Sequence, residues 1–241
     1  MSQFNGKRIL ITGVTSAIGM AIAEEILKSK GTVVGTFRTF SNKIEDLSSL
    51  GNFSSFSWDS KETPDFLNNQ SAFDGWVHCI GTIHPHPIKY LNKVSNQDLF
   101  DVNYFSATLM ASQLLQRSLL NLSSSVVFIS SVSSHFPYRG GASYAASKAA
   151  LESFAKALAL ECSSKKIRVN TLVCALIKTP MFDATIASLG EKEIERIEKK
   201  YPLGFGDPSD IAKPCIFLLS DDAKWITGSQ LLLDGGMMLN V

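Results

Sequence analysis

Tyr144, Lys148 and Ser131 are the residues whose types and spacing amount to a chemical apparatus. Tyr144 and Lys148 stand four apart within 142–157, a segment of strong helix formers, so both project from one face of a helix. Ser131 ends the apolar run 126–130, at the edge where a strand would deliver it to a ligand crevice. A phenol that acts as a general acid near neutral pH has to lose part of its ordinary pKa of about 10. An ammonium about 5 Å away, at an effective dielectric near 20, favours the phenolate by roughly 3 kcal/mol. Lysine is therefore the residue type this task requires. Any helix can hold Tyr-x-x-x-Lys by chance; the serine and a glycine turn upstream make the set specific.

That turn is Thr12-Gly13-Val14-Thr15-Ser16-Ala17-Ile18-Gly19, directly after an apolar run. Gly13 suits a tight turn, and the small Ala17 and Gly19 let the next helix approach a pyrophosphate and the sheet. The helix start then offers unpaired N–H groups and a positive dipole end to that anion. Ala17 stands where a second glycine is usual, which a helix start tolerates because φ is negative there. The spacing gains weight from its place at the first strand–helix junction of a βαβ unit. The second strand ends in Gly35-Thr36-Phe37-Arg38. NAD sites often carry an acidic residue here for the ribose hydroxyls. Arg38 instead offers a guanidinium to a 2′-phosphate, a contact worth roughly 1.5–3 kcal/mol, which points to NADP(H). Asp59, just past the third strand, is a candidate acceptor for the adenine amino group.

The elements that must position these groups follow from the pattern. Short β-branched or aromatic runs at 8–12, 32–37, 53–58, 75–80, 125–130, 168–173 and 230–233 alternate with helical patterns near 17–29, 42–50, 61–70, 96–120, 143–163 and 208–220. Several strands are apolar nearly throughout, as when helices cover both faces of a parallel sheet. The alternation predicts a doubly wound α/β fold with right-handed crossovers, one domain over 1–241. Residues 176–206 differ: they contain Pro180 and Pro202 and the charged run 191–200, where Ile194, Ile197 and Tyr201 form a narrow apolar stripe. A solvated surface helix is one reading. A lid over the cleft is the other, because the segment lies beyond a strand's carboxyl end.

Composition sets the outer limits. The 241 residues carry 23 Lys+Arg against 22 Asp+Glu, a formal net charge of +1, which gives no global reason to expect nucleic acid or an anionic membrane as partner. With 45% hydrophobic and 19% charged residues the chain is not expected to be disordered. Cys79, Cys162, Cys174 and Cys215 form no CxxC pair and suit buried positions in a reducing compartment. The uncharged stretch 9–23 reads as strand, turn and helix rather than a membrane span, and no signal peptide is discerned. A cytoplasmic protein is the expectation.

The chain resembles the short-chain dehydrogenase/reductase family over nearly its whole length. The resemblance rests on Thr12–Gly19, Asn103, Ser131, Tyr144-Ala145-Ala146-Ser147-Lys148, Asn170, Thr179-Pro180-Met181, Ile226-Thr227-Gly228 and Asp234-Gly235-Gly236. It implies a Rossmann-type domain whose sheet is mostly parallel and seven-stranded. It implies Tyr144 as proton donor to a carbonyl oxygen and Ser131 as hydrogen-bond donor to that oxygen. Lys148 would bind the nicotinamide ribose and depress the tyrosine pKa, and Asn103 would hold a water in a proton relay. Ile177 and Thr179 would anchor the nicotinamide carboxamide, and Gly81 would let the cofactor approach closely. The chain departs from the family at His78-Cys79-Ile80-Gly81, where Asn-Asn-Ala-Gly is frequent, and at Cys174-Ala175, where Pro-Gly is frequent.

His84-Pro85-His86-Pro87 offers two histidines without a well-placed third ligand, so a rigid loop bordering the cleft is expected rather than a metal site. His135 and Tyr138 are candidates to line the same cleft. The helical stretches 96–120 and 143–163 are more apolar than one covered sheet face needs, and the family pairs them between subunits, so a dimer or tetramer is expected. The function expected is NADPH-dependent reduction of a ketone, most similar to that of 3-oxoacyl-acyl-carrier-protein reductases, although Phe205 takes a place often basic there. The alternatives are a reductase or dehydrogenase of a sugar or nucleotide-sugar intermediate, and a non-catalytic NADP-binding sensor.

Overall fold

Alternate residues of the inner strands serve two different cores, which is what a sheet with helices on both faces demands. The structure is a computed structural model that describes residues 3–187 and 190–240. In β1 (Arg8–Thr12), Ile9 and Ile11 join Ile22 and Ile26 of α1 (Ala17–Lys28) and Ile211, Cys215 and Leu218 of α8 (Pro208–Leu219). Leu10 turns the other way, to Met110 and Leu114 of α4 (Ser106–Gln116) and Leu151 and Leu158 of α5 (Ala142–Glu161). The same division recurs downstream: Val127 and Leu172 face the first core, Val126, Phe128 and Val169 the second.

The remaining strands are β2 (Thr32–Phe37), β3 (Phe53–Ser57), β4 (Phe73–His78), β5 (Leu120–Ser131), β6 (Arg168–Cys174) and β7 (Gln230–Leu233), with α2 (Lys43–Leu50) between β2 and β3. All pair in parallel, in the order β3-β2-β1-β4-β5-β6-β7. The order reverses between β1 and β4, and a ligand crevice opens at that switch, beyond the carboxyl ends of the strands. The expected doubly wound α/β domain is therefore what forms, with strands within a few residues of the predicted windows. Two helical windows are corrected. Residues 61–70 hold only a 3₁₀ turn, Asp65–Asn69, after Pro64. The 96–120 window is α3 (Lys93–Phe100), a π-helical turn over Asp101–Phe105, and α4; β5 already starts at Leu120. Ser118 ends that helix in the left-handed region, at φ 53°, a place where glycine would have announced the stop.

Two short helices, α6 (Pro180–Ile186) and α7 (Glu191–Glu198), follow β6. Within this segment residues 188 and 189 lie outside the described ones. The stripe read from the sequence turns inward: Ile194 and Ile197 are half-buried and Tyr201 is buried, its ring 5.0 Å from that of Phe205.

Gly13 joins β1 to α1 at φ 80°, where a Cβ would meet Ile80 Cγ1 at 3.1 Å. Left-handed backbone costs a residue with a side chain about 1–2 kcal/mol. Gly13→Ala is expected to lower the melting temperature by about 2–8 °C in scanning calorimetry, given the entropy of unfolding of a domain this size. An unchanged midpoint would show that the turn carries no such constraint.

Candidate active site

The glycine turn is tied together by its own side chains. Ser16 caps α1: its hydroxyl accepts from Gly19 N (3.0 Å) and donates to Gly13 O (2.8 Å), so it is used within the turn itself. A Cβ on Gly19 would lie 2.5 Å from Gly13 O, which only glycine avoids. Ala17 begins the helix, as its position in the motif requires. No acid stands in the first turn of α1. The N–H groups of Ala17 and Ile18 are the helix-terminal donors that the cap leaves over, and Thr15 is partly exposed beside them.

Ser131 is the last residue of β5 and caps the 3₁₀ turn Val132–Ser134, where its hydroxyl accepts from Ser133 N at 3.2 Å. It pairs in register with Cys174 at the end of β6. Tyr144 and Lys148 come from one face of α5, as expected; the Ser131 hydroxyl, which donates to Ser133 Oγ at 3.1 Å, lies near enough to the Tyr144 phenol to favour its ionised form. Lys148 is buried; its Nζ donates to the Ile129 carbonyl at 2.9 Å and lies 5.9 Å from the centre of the Tyr144 ring. The three residues therefore meet at the carboxyl edge of the sheet.

The electrostatics differ from expectation. Burial pushes the Tyr144 phenol up to about 12, with the nearby Ser131 hydroxyl working against it. Burial also brings the Lys148 ammonium down to about 8, against the raising influence of Cys174, Cys79 and Glu152. The expected lowering of the tyrosine by the lysine is not what the protein's own groups produce. Burial of the phenol is the dominant influence, and the ammonium donates to the Ile129 carbonyl.

Asn103 lies fully buried in the π-helical turn. Its Oδ1 accepts from Thr82 N (2.7 Å), and its Nδ2 donates to Thr82 O (2.9 Å) and Ser147 Oγ (3.0 Å). Both amide protons are engaged, so a water held by this side chain is held by acceptance alone. Just before Thr82, a Cβ on Gly81 would come within 3.3 Å of Lys148 Nζ. Glycine keeps that approach open. His78, at the position of a frequent asparagine, is buried between Thr12 Oγ1 (2.8 Å from Nδ1) and Ser106 Oγ (3.3 Å from Nε2). Burial, aided by Lys148, takes it down to about 3, so it is a neutral bridge.

Farther along the crevice, Arg38 and Asp59 border one cavity of about 350 Å³ with Trp58, Glu62, Asp65 and Phe66. Arg38 is exposed and has no ion pair among the described residues; Asp59 accepts from Lys61 N at 3.0 Å. On the other side, Ile177 is buried and bridged to Gly206, and Thr179 caps α6 by accepting from Phe182 N. The loop of His84 and His86 is tied to the approach to α5 through His86 N and Gly140 O (2.9 Å). The cradle at α1, the open face at Gly81 and the cavity at Arg38 fit an extended dinucleotide lying across the switch point.

Sequence reasoning missed two features. The π-helical turn has no local signal in Asp101-Val102-Asn103-Tyr104-Phe105. The other is Glu152, buried one turn beyond Lys148 and bonded to Ser130, Ser134 and Gln230. An acid inside an otherwise apolar helix face was the available clue.

Comparison with known proteins agrees with the geometry. The family model described as enoyl-(acyl carrier protein) reductase matches residues 13–238. A 3-oxoacyl-[acyl-carrier-protein] reductase of Rickettsia conorii is 32% identical, over 99% of this chain and 100% of that protein. A D-erythrulose reductase of Gallus gallus is 30% identical, over 99% of this chain and 98% of its own. In fold, a short-chain dehydrogenase/reductase of Brucella melitensis superposes with a TM-score of 0.89 at 24% identity, covering 98% of each chain. With the glycine turn, the serine, the tyrosine and the lysine in their places, this chain belongs to the short-chain dehydrogenase/reductase family.

Proposed function

We propose that the protein is an NADPH-dependent reductase that converts a ketone to a secondary alcohol. The observation that carries this reading is the meeting of two hydroxyls, Ser131 and Tyr144, at the crevice edge beside a buried lysine. A nicotinamide dinucleotide bound along the crevice supplies the hydride. Thr15, Ser16, Ala17, Ile18 and the two glycines at 13 and 19 would cradle its pyrophosphate. Asp59 would meet the adenine and Arg38 the 2′-phosphate. Gly81, Ile177 and Thr179 would border the nicotinamide, and Lys148 would hold its ribose.

The chain's own part is proton handling. Tyr144 gives its proton to the carbonyl oxygen, and Ser131 donates a hydrogen bond to the same oxygen. Because burial keeps the phenol protonated across the neutral range, the tyrosine stands loaded for reduction. Asn103 fixes the chain at Thr82 beside Gly81, which keeps the approach to Lys148 clear.

A 3-oxoacyl thioester is the substrate class that the Rickettsia relative's name supports, and the aromatic group of Phe182, Tyr201 and Phe205 offers it an apolar wall. The erythrulose reductase relative favours a short sugar ketone as the second reading. The 176–206 segment, which carries these rings, is proposed as a lid over the ligand cleft. Exposed apolar residues on α3, the π-helical turn and α5, among them Val94, Phe105 and Leu160, support a dimer or tetramer. Four free cysteines suit a cytoplasmic setting. Among the described residues no helix is long and apolar enough to cross a membrane.

A panel of acetoacetyl-coenzyme A, ethyl acetoacetate, erythrulose and diacetyl with NADPH tests the activity. Tyr144→Phe is expected to reduce kcat by about a thousandfold or more on the best ketone while the Kd for NADPH stays within about threefold. Near-normal turnover would remove the phenol from the mechanism. Arg38→Asp is expected to lower the NADPH/NADH ratio of kcat/KM by about 10- to 150-fold, the equivalent of one charged contact. An unchanged ratio would exclude Arg38 from phosphate recognition. Since Lys148 sits at about 8, its charge is lost as pH rises through that value. The kcat/KM for NADPH, which reports the free enzyme, should accordingly fall on the alkaline side with an apparent pKa near 8. A profile flat to about pH 9.5 would show that the ammonium is not needed for binding.

A further inference from the structure

Glu152 is a buried acid that this chemistry leaves unused. It lies 4% exposed on α5, and groups from three other places converge on its carboxylate. Oε1 accepts from Ser130 Oγ at 2.6 Å. The single hydroxyl proton of Ser134 lies between that same oxygen, at 2.6 Å, and the Ser131 carbonyl, at 2.7 Å. Oε2 accepts from Gln230 Nε2 of β7 at 2.7 Å and faces His135 Nε2 at 3.2 Å. A carboxylate out of water has to be compensated by such donors, and a network this complete is rigid.

The arrangement matters because of what stands between the donors. Ser130 immediately precedes Ser131, and Ser134 ends the short turn that Ser131 caps. Both therefore bind the segment carrying Ser131 to the helix that carries Tyr144 and Lys148. The two hydroxyls proposed to share one substrate oxygen belong to different elements, β5 and α5. Packing alone leaves such a pair free to drift by fractions of an ångström, enough to weaken a hydrogen bond made only at the reacting atom. We infer that Glu152 is a positioning residue for Ser131, clamping the end of β5 to α5 through Ser130 and Ser134. The inference rests on the role proposed above for Ser131.

The test is a double-mutant cycle with NADPH and acetoacetyl-coenzyme A, or the panel ketone that outpaces it. Glu152→Ala is expected to lower kcat about tenfold or more while the Kd for NADPH moves less than about threefold. In a Ser131→Ala background the same change is expected to cost less than about threefold, because the group it positions is gone. Ser130→Ala with Ser134→Ala, which leaves α5 and its carboxylate in place, should reproduce the kcat loss and carries the test if Glu152→Ala does not fold. Losses that multiply in the cycle, or clamp variants as active as the parent while Ser131→Ala is impaired, would overturn the positioning role alone. Full activity in Ser131→Ala would bring down the reading of the site, and this inference with it.

Discussion

One helix of this protein carries a buried cation and a buried anion a single turn apart, and the site depends on how that burden is met. Lys148 and Glu152 are each 4% exposed on α5. Moving either out of water costs several kcal/mol unless partners replace the lost hydration. Both find their partners at the same place, the carboxyl end of β5. Lys148 donates to the Ile129 carbonyl, and Glu152 accepts from Ser130 and Ser134. The helix and the strand end are thus locked by polar contacts above, while Leu151, Ala155 and Leu158 hold them by apolar contacts below. Tyr144 and Ser131 inherit their mutual geometry from that lock.

A second chain of contacts runs from the glycine turn to the same lysine. Thr12 ends β1, and its hydroxyl meets His78 at the end of β4. His78, neutral because it is buried, reaches Ser106 at the start of α4. The π-helical turn immediately before Ser106 holds Asn103, whose amide fixes Thr82, next to the glycine that faces Lys148. An extra residue in a helical turn shifts the side chains that follow, and such turns concentrate at functional sites. Here the shift lets a fully buried amide face the loop after β4. The substitution of histidine for the family's frequent asparagine keeps a polar bridge at this position, made through a ring instead of an amide.

What the sequence disclosed and what it withheld divide along physical lines. The strands were legible because burial on both faces leaves an apolar run, and the helices because 3.6-residue periodicity survives in single segments. Tyr144, Lys148 and the glycine turn were legible because each is fixed by spacing within one element. The end of α4 was not, because Ser118 takes a left-handed conformation without the glycine that marks it. The 61–70 window kept a helical pattern, yet Pro64 and the Asn68-Asn69 pair favour a short turn. Glu152 was invisible as a hub because its donors come from positions 130, 134 and 230, joined only by the fold. With the protein's own groups, the tyrosine is raised and not lowered, because spacing within one helix places an ammonium near a phenol but does not reveal how deeply the phenol is buried.

That last point bears on where the protons of the two residues rest. With protein groups alone, burial disfavours the ionised form of both residues, holding the proton on Tyr144 and loosening it from Lys148. A general acid is useful when its proton is present at rest and its conjugate base becomes tolerable only as the transfer proceeds. Tyr144 meets the first condition at any neutral pH. The nearby Ser131 hydroxyl is the protein's own contribution to the second, since among the influences on the phenol it is the one that favours phenolate. In the role proposed for it, Ser131 would stabilise whichever oxygen carries the developing charge, the phenol's or the substrate's, provided that its position is held. Burial, a property of the fold and not of any one charge, is what holds this proton in place.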